Sequence, residues 1–237
     1  MLLLVNKPKG ITSHDVVNKI RKVTGVSKVG HAGTLDPNAT GLLIIGIGRE
    51  STKKLGEIAK NTKKTYKAEI FFGEERDTDD ALGKIRNMKH EIRNSSAPLS
   101  ILSQPKDKSQ FAKTTICKTL RRFVGEQMQA PPIYSAIKIK GKKAYESARK
   151  GEKVKLKKRS IAVYSLKMED YKYPVLKITA EVSSGTYIRA LARDIGRSLG
   201  CGAYLNNLKR IRIGNYEIKD AVSLDRLNSE NWQSFSL

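Results

Sequence analysis

Asp36 is the residue in this sequence best placed to do chemistry. It stands between Leu35 and Pro37 in the segment GHAGTLDPNATG (30–41), whose glycines at 30, 33 and 41 let backbone come close to a ligand. An ionised carboxylate in such a loop can act as a nucleophile or as a base. Asp-Pro-Asn is also an ordinary turn initiator, and residue types alone favour that plainer role. The segment therefore stays open until more of the chain is considered.

Other patterns with chemical meaning fail on spacing. Gly46-Ile-Gly48 follows an apolar run, but position 51 is Ser and no third glycine completes a dinucleotide loop. There is no GxxxxGK[ST] run and no GxSxG elbow. His90-Glu91 has no second His at 94, and the three histidines (14, 31 and 90) are too scattered to suggest a metal site. Asp77-Thr-Asp79-Asp80 fails as a calcium loop because its sixth and twelfth positions are Leu82 and Met88. It reads as a solvated acidic turn. Cys117 and Cys201 show no CxxC spacing, which argues against a disulfide framework or zinc site and for a reducing compartment.

The elements that must position Asp36 are legible around it. Met1–Val5 reads as a short strand ending at the turn Asn6-Lys-Pro-Lys-Gly10. Thr12 with Asp15 has the form of a capping box, Val16, Ile20 and Val23 follow at helical spacing, and Gly25 is a stop, so a helix is expected over about 14–24. Residues 30–41 read as loop and 42–48 (LLIIGIG) as a buried strand. Thr65–Phe72 and Val175–Val182 alternate as strands do, and Tyr187–Leu199 carries Ile188, Leu191, Ile195 and Leu199 on one helical face. Ile116, Leu120, Phe123 and Val124 mark another helix face, and 131–149 reads as an extended segment followed by a short helix. The pattern breaks from Gly73 to about Gln110, which reads as loops or a mobile insertion. Strands and helices mix without a regular βαβ rhythm, so the fold class is α+β with a mixed or antiparallel sheet.

The chain has 237 residues, 46 Lys and Arg against 23 Asp and Glu, and a formal charge of +23. Such a charge on a globular composition points to a polyanionic partner, because each neutralised phosphate releases a counterion. Residues 106–160 alone hold 17 basic against 4 acidic residues, a net +13, which localises the binding face. No apolar run approaches the ~20 residues of a membrane span, and Met1–Val5 is too short and too poor in basic residues for a signal peptide. The expected setting is the cytoplasm.

Read together, the motifs resemble one family. GHAGTLDPNATGLLIIGIGRESTK (30–53) closely resembles the signature loop of the TruB-type tRNA pseudouridine-55 synthases. NKPKGITSHDVV (6–17) resembles the family's entry segment, and KTYKAEIFFGEERDTDDALG (64–83) its tyrosine strand and acidic turn. QAPPIYSAIKIKGKKAYESARKGEKV (129–154) resembles its RNA-gripping segment, and SSGTYIRALARDIGRSLGCGAYLNNLKRIRIG (183–214) its arginine-bearing helix region. The matches span nearly the whole chain in order.

The resemblance implies one pseudouridine synthase catalytic domain over 1–237, a largely antiparallel sheet flanked by helices. A basic, thumb-like insertion is expected at about 106–160, and the PUA module that many members carry is expected to be missing after Leu237, a departure from the family's pattern. It implies isomerisation of uridine-55 in the T-loop of tRNA, without cofactor or metal. Asp36 becomes the nucleophile or the base that removes a sugar proton. Arg189 pairs with it and lowers its pKa. Tyr66 stacks on the base and assists loss of the C5 proton. His31 supports the gap left by the flipped nucleotide. Leu208 and Tyr187 line the uracil pocket. Lys7, Lys138, Lys140, Lys142, Lys143, Arg149 and Lys150 contact phosphates. The T-stem-loop of tRNA is the expected partner, met by a monomer needing neither a membrane nor a second protein. A non-catalytic RNA-binding protein and a guide-RNA-dependent synthase are the alternatives.

Overall fold

Sequence pattern and topology meet first in two strands of one sheet. Strands β1 (Leu2–Lys7) and β3 (Thr40–Ile47) pair antiparallel, Leu3 opposite Ile45 and Leu4 opposite Ile44. Their side chains sort by the period of two: Leu3, Val5, Leu43, Ile45 and Ile47 enter one core, and Leu4, Leu42 and Ile44 the other. Both faces are covered, which is why 42–47 is a continuous apolar run instead of an alternating one. The computed structural model describes residues 1–60, 62–86, 111–135, 137–139, 142–144 and 156–237.

The described residues form two compact units. The first comprises 1–67, 180–185 and 207–237. On one face of its β1–β3 pair lies helix α1 (Ser13–Thr24), with Val16, Val17 and Ile20 buried beside Trp232 and Leu227. The capping box is present: Thr12 Oγ1 accepts from the Asp15 amide at 3.1 Å, and Thr12 N donates to the Asp15 carboxylate at 2.8 Å. Gly25 closes the helix at φ 68°. On the other face lies helix α2 (Arg49–Lys60), which meets the second core through Leu55. Strand β2 (Val29–Ala32) pairs with β3, so the first three residues of the expected 30–41 loop are strand.

Three strands from the far end of the chain complete this unit: β10 (Ala203–Ile213) parallel to β3, β11 (Tyr216–Glu217) antiparallel to β10, and β12 (Val222–Ser223) parallel to β1. Neither α2 nor β10 is signalled by periodicity. Helix α2 buries only Ser51 and Leu55, and β10 carries Asn206, Asn207, Lys209, Arg210 and Arg212 among its apolar residues.

The second unit comprises 68–179 and 186–206. Strands β4 (Lys64–Phe72), β9 (Val175–Val182), β8 (Arg159–Lys172) and β5 (Gly125–Gln129) follow one another in the sheet order, β5 and β8 antiparallel. Strand β4 starts in the first unit and β10 ends there. Helix α3 (Lys113–Arg122) buries Ile116 and Leu120. It ends before Val124, which is exposed, so the expected face is shorter by a turn. Of the expected insertion at 106–160, residues 113–129 are therefore helix and paired strand, part of the folded unit. Short strands β6 (Lys138–Ile139) and β7 (Lys142–Lys143) form a hairpin. Helix α4 (Ile188–Ser198) buries Ile188, Leu191 and Ile195 as its spacing predicts.

The β3–β10 pairing depends on Gly41. At φ 105°, a Cβ there would sit 2.2 Å from the carbonyl oxygen of Arg210, its register partner. Gly41→Ala should cost roughly 2–4 kcal/mol. Urea unfolding with an unchanged slope checks this; a loss of under about 0.5 kcal/mol would show that the strands separate freely there.

Candidate active site

Asp36 sits half-buried in the connection between β2 and β3, residues 33–39. Neighbouring elements hold this connection residue by residue. The Ser13 hydroxyl, at the start of α1, donates to Leu35 O at 3.0 Å and accepts from Leu35 N at 2.9 Å. Gly10 N donates to Pro37 O at 2.9 Å, and Ala39 N donates to Asp36 O at 3.0 Å. Leu35 and Ala39, on either side of Asp36, are buried. The Asp-Pro-Asn turn expected from the sequence is present, and it carries the Asp36 carboxylate.

Lys7 differs from its expected role. It is fully buried, and its ammonium donates to Pro8 O and Ile11 O at 2.8 Å each and to Pro37 O at 3.3 Å. All three protons are used on backbone carbonyls, so it is not placed to meet a phosphate. It fastens the Asn6–Gly10 turn to the Asp36 loop instead. Burial lowers its pKa to about 8, the charge of Asp36 opposing that fall and the charge of Arg210 adding to it.

Further buried cations lie in this unit. Arg210 is 1% exposed and donates from Nε to Leu42 O at 2.9 Å and from Nη2 to Gly33 O at 2.8 Å. Lys64, at the start of β4, donates to Ala59 O at 2.9 Å and Thr62 O at 3.2 Å. Burial, then the charge of Arg210, lowers Lys64 to about 8. Tyr66 lies two residues further along β4 on the same buried face, 7% exposed. His31, in β2, is pushed below its ordinary value by burial and by the charges of Arg210 and His14, so it is neutral at pH 7. Leu208, in β10, is half-buried, and its carbonyl accepts from Thr40 Oγ1 at 3.3 Å.

The second unit carries Arg189 and Tyr187. Arg189, Arg193 and Arg197 recur every four residues along α4, on one face of the helix. Arg189 donates to Thr78 O at 3.0 Å and Tyr134 O at 3.2 Å, with the Asp80 carboxylate 3.6 Å away. Arg193 pairs with Asp79 at 2.8 Å, and Arg197 holds both oxygens of Glu75 at 2.7 Å. The turn expected to be solvated is therefore largely buried at Asp79 and Asp80, because the helix supplies a cation for each carboxylate. Asp79 has φ 61°, which interrupts the strand-like alternation and lets consecutive carboxylates face the same helix. The Tyr187 backbone is fixed by the Gln129 amide, which accepts from its N at 2.9 Å and donates to its O at 3.1 Å. Lys138, Lys142 and Lys143 lie on the β6–β7 hairpin, while Lys140, Arg149 and Lys150 lie outside the described residues.

Ser13, Arg210, Asp79 and Asp80 are missed by sequence reasoning. Ser13 hides behind the Thr12 cap, and Arg210 is one of 46 basic residues.

A mixed sheet flanked by helices agrees with the fold of known proteins. The family model described as TruB family pseudouridylate synthase (N terminal domain) matches residues 21–103 and 91–188. The tRNA pseudouridylate synthase B C-terminal domain matches 189–235. This chain belongs to the TruB family of pseudouridylate synthases. It is 42% identical to tRNA pseudouridine synthase B of Aquifex aeolicus, over 99% of this chain and 76% of that one. It is 40% identical to tRNA pseudouridine synthase B of Clostridium kluyveri, over 97% and 73%. Among solved structures it is similar to a chain of a Cbf5–Nop10–Gar1 complex, with TM-score 0.68 and 25% identity. That match covers 94% of this chain and about half (52%) of the other.

The lowered Lys64 pKa has a measurable consequence. Between about pH 8 and the unfolded value of 10.5, the unfolded chain keeps a proton that the folded chain has lost. Folding stability therefore rises with pH through that window on account of Lys64. Relative to Lys64→Met, the wild-type protein should gain stability from pH 8 to pH 10 in parallel urea titrations. A difference that stays flat or falls would contradict the buried-ammonium assignment.

Proposed function

We propose that this chain is an isomerase that converts uridine-55 in the T-loop of tRNA to pseudouridine, acting as a cytoplasmic monomer without an obligatory protein partner. The observation that carries the reading is Asp36: a half-buried carboxylate on a loop fixed on both sides, in a chain of charge +23. The reaction breaks the N1–C1′ bond, turns the base, joins C5 to C1′ and moves the C5 proton to N1. Nothing is gained or lost overall, so the residues need only bind, orient and move one proton. The Asp36 carboxylate acts as nucleophile or as base toward the sugar, and both roles need it ionised.

Arg189 is assigned the part of counter-charge to that carboxylate. Tyr66 stacks on the uracil and assists loss of the C5 proton, while Leu208 and Tyr187 line the base. The target must leave its stack to reach Asp36. Neutral His31 suits the space it vacates, since an uncharged ring enters a base stack without desolvating a charge. The hairpin lysines 138, 142 and 143 hold phosphates by charge. Identity of 40–42% to proteins named tRNA pseudouridine synthase B, against 25% to Cbf5, favours this over a guide-RNA-dependent synthase.

Asp36→Asn keeps the shape and removes the charge. Incubated with an unmodified tRNA transcript, wild-type protein should yield pseudouridine at a single mapped position. The variant should yield none, with tRNA affinity within about threefold of wild type. Turnover by the variant near the wild-type rate would overturn the catalytic role of Asp36.

A further inference from the structure

We propose that Arg210 is a positioning residue for Asp36, its guanidinium tying together the two ends of the loop that carries the carboxylate. The inference rests on the isomerase reading of Asp36. Gly33 opens the loop and Leu42 lies in the strand that receives it. The carbonyls of both accept from one planar side chain, at 2.8 and 2.9 Å. A guanidinium can do this because its donors point along fixed, divergent directions; a lysine ammonium is a point charge on a flexible stem.

The surroundings fit a dedicated role. Arg210 is 1% exposed and, among the described residues, has no carboxylate within ion-pairing distance. A buried cation held only by carbonyls contributes little net stability and is kept for its geometry. Room has also been made for it. A Cβ on Gly33 would lie 3.4 Å from Arg210 Nη1, and one on Gly41 would strike the Arg210 backbone. The side chain thus sets the separation of the two strand ends, and through them the height at which residue 36 stands. Displacing a reacting group by about 1 Å costs on the order of 100-fold in rate.

The test compares Arg210→Lys with Leu227→Ala, a core variant from the α1 side of the first unit. Single-turnover pseudouridine formation with saturating enzyme, tRNA affinity and melting temperature are measured for each. Arg210→Lys should slow the chemical step roughly 10–100-fold with affinity within about threefold of wild type. Leu227→Ala should lower the melting temperature yet leave the rate within about twofold. A wild-type rate in Arg210→Lys, or rate losses that track melting temperature in both variants, would overturn the positioning role while leaving the isomerase reading intact. Absence of product from wild-type enzyme would instead sink the isomerase reading. Should Arg210→Lys fail to fold, the Arg210 Nε proton of the unsubstituted protein gives the answer by NMR. Slow exchange with water is expected, and exchange as fast as that of surface arginines would overturn the proposal.

Discussion

One short connection, residues 33–39 between adjacent antiparallel strands, sets the terms for the first unit. A loop tip of this kind is ordinarily the most mobile part of a sheet, because its backbone groups face water. Here they face donors and acceptors supplied from elsewhere: Ser13 at the head of α1, Gly10 and Lys7 in the turn after β1, Arg210 in β10. Those groups come from positions as far apart as 7 and 210, so the loop cannot take its shape until the unit has assembled around it. Rigidity at Asp36 is a property of the assembled unit, achieved without a long or stiff local sequence.

The two units handle buried cations differently, and the contrast bears on function. Along α4 each arginine finds a carboxylate, Asp80, Asp79 or Glu75. Around Asp36, the ammonium of Lys7, the ammonium of Lys64 and the guanidinium of Arg210 are bonded to carbonyl oxygens. Carbonyls satisfy the protons but do not cancel the charge. Positive charge therefore persists beside the loop. Burial first, and then the charge of Arg210, lowers the pKa of His31.

How much of this was legible depended on whether local pattern or distant packing set each feature. Helix α1 with its capping box, strand β3, strand β9 and the inward face of α4 follow from period and cap residues, and the structure shows them within one or two positions. Helix α2 was illegible because it presents little apolar surface and has Gly56 in its middle. Strand β10 was illegible because Arg210 occupies a buried position that pattern reserves for an apolar residue. Asp79 and Asp80 look like a water-facing turn until α4, over a hundred residues on, brings its arginines. Lys7 looks like any surface lysine until the carbonyls of Pro8, Ile11 and Pro37 converge on it. Asp36 stood out only through the motif around it, since Asp-Pro-Asn by itself marks a turn.

The central claim is that the Asp36 loop is pre-formed in the protein before RNA arrives. Amide hydrogen exchange of the RNA-free protein, resolved by NMR, tests it most directly. The amides of Gly10, Leu35 and Ala39, bonded to Pro37 O, Ser13 Oγ and Asp36 O, should exchange as slowly as the β3 amides of Leu43 and Ile45. Exchange of those three at the rate of an open loop, with β3 still protected, would show that the loop is assembled by the substrate and would contradict the account.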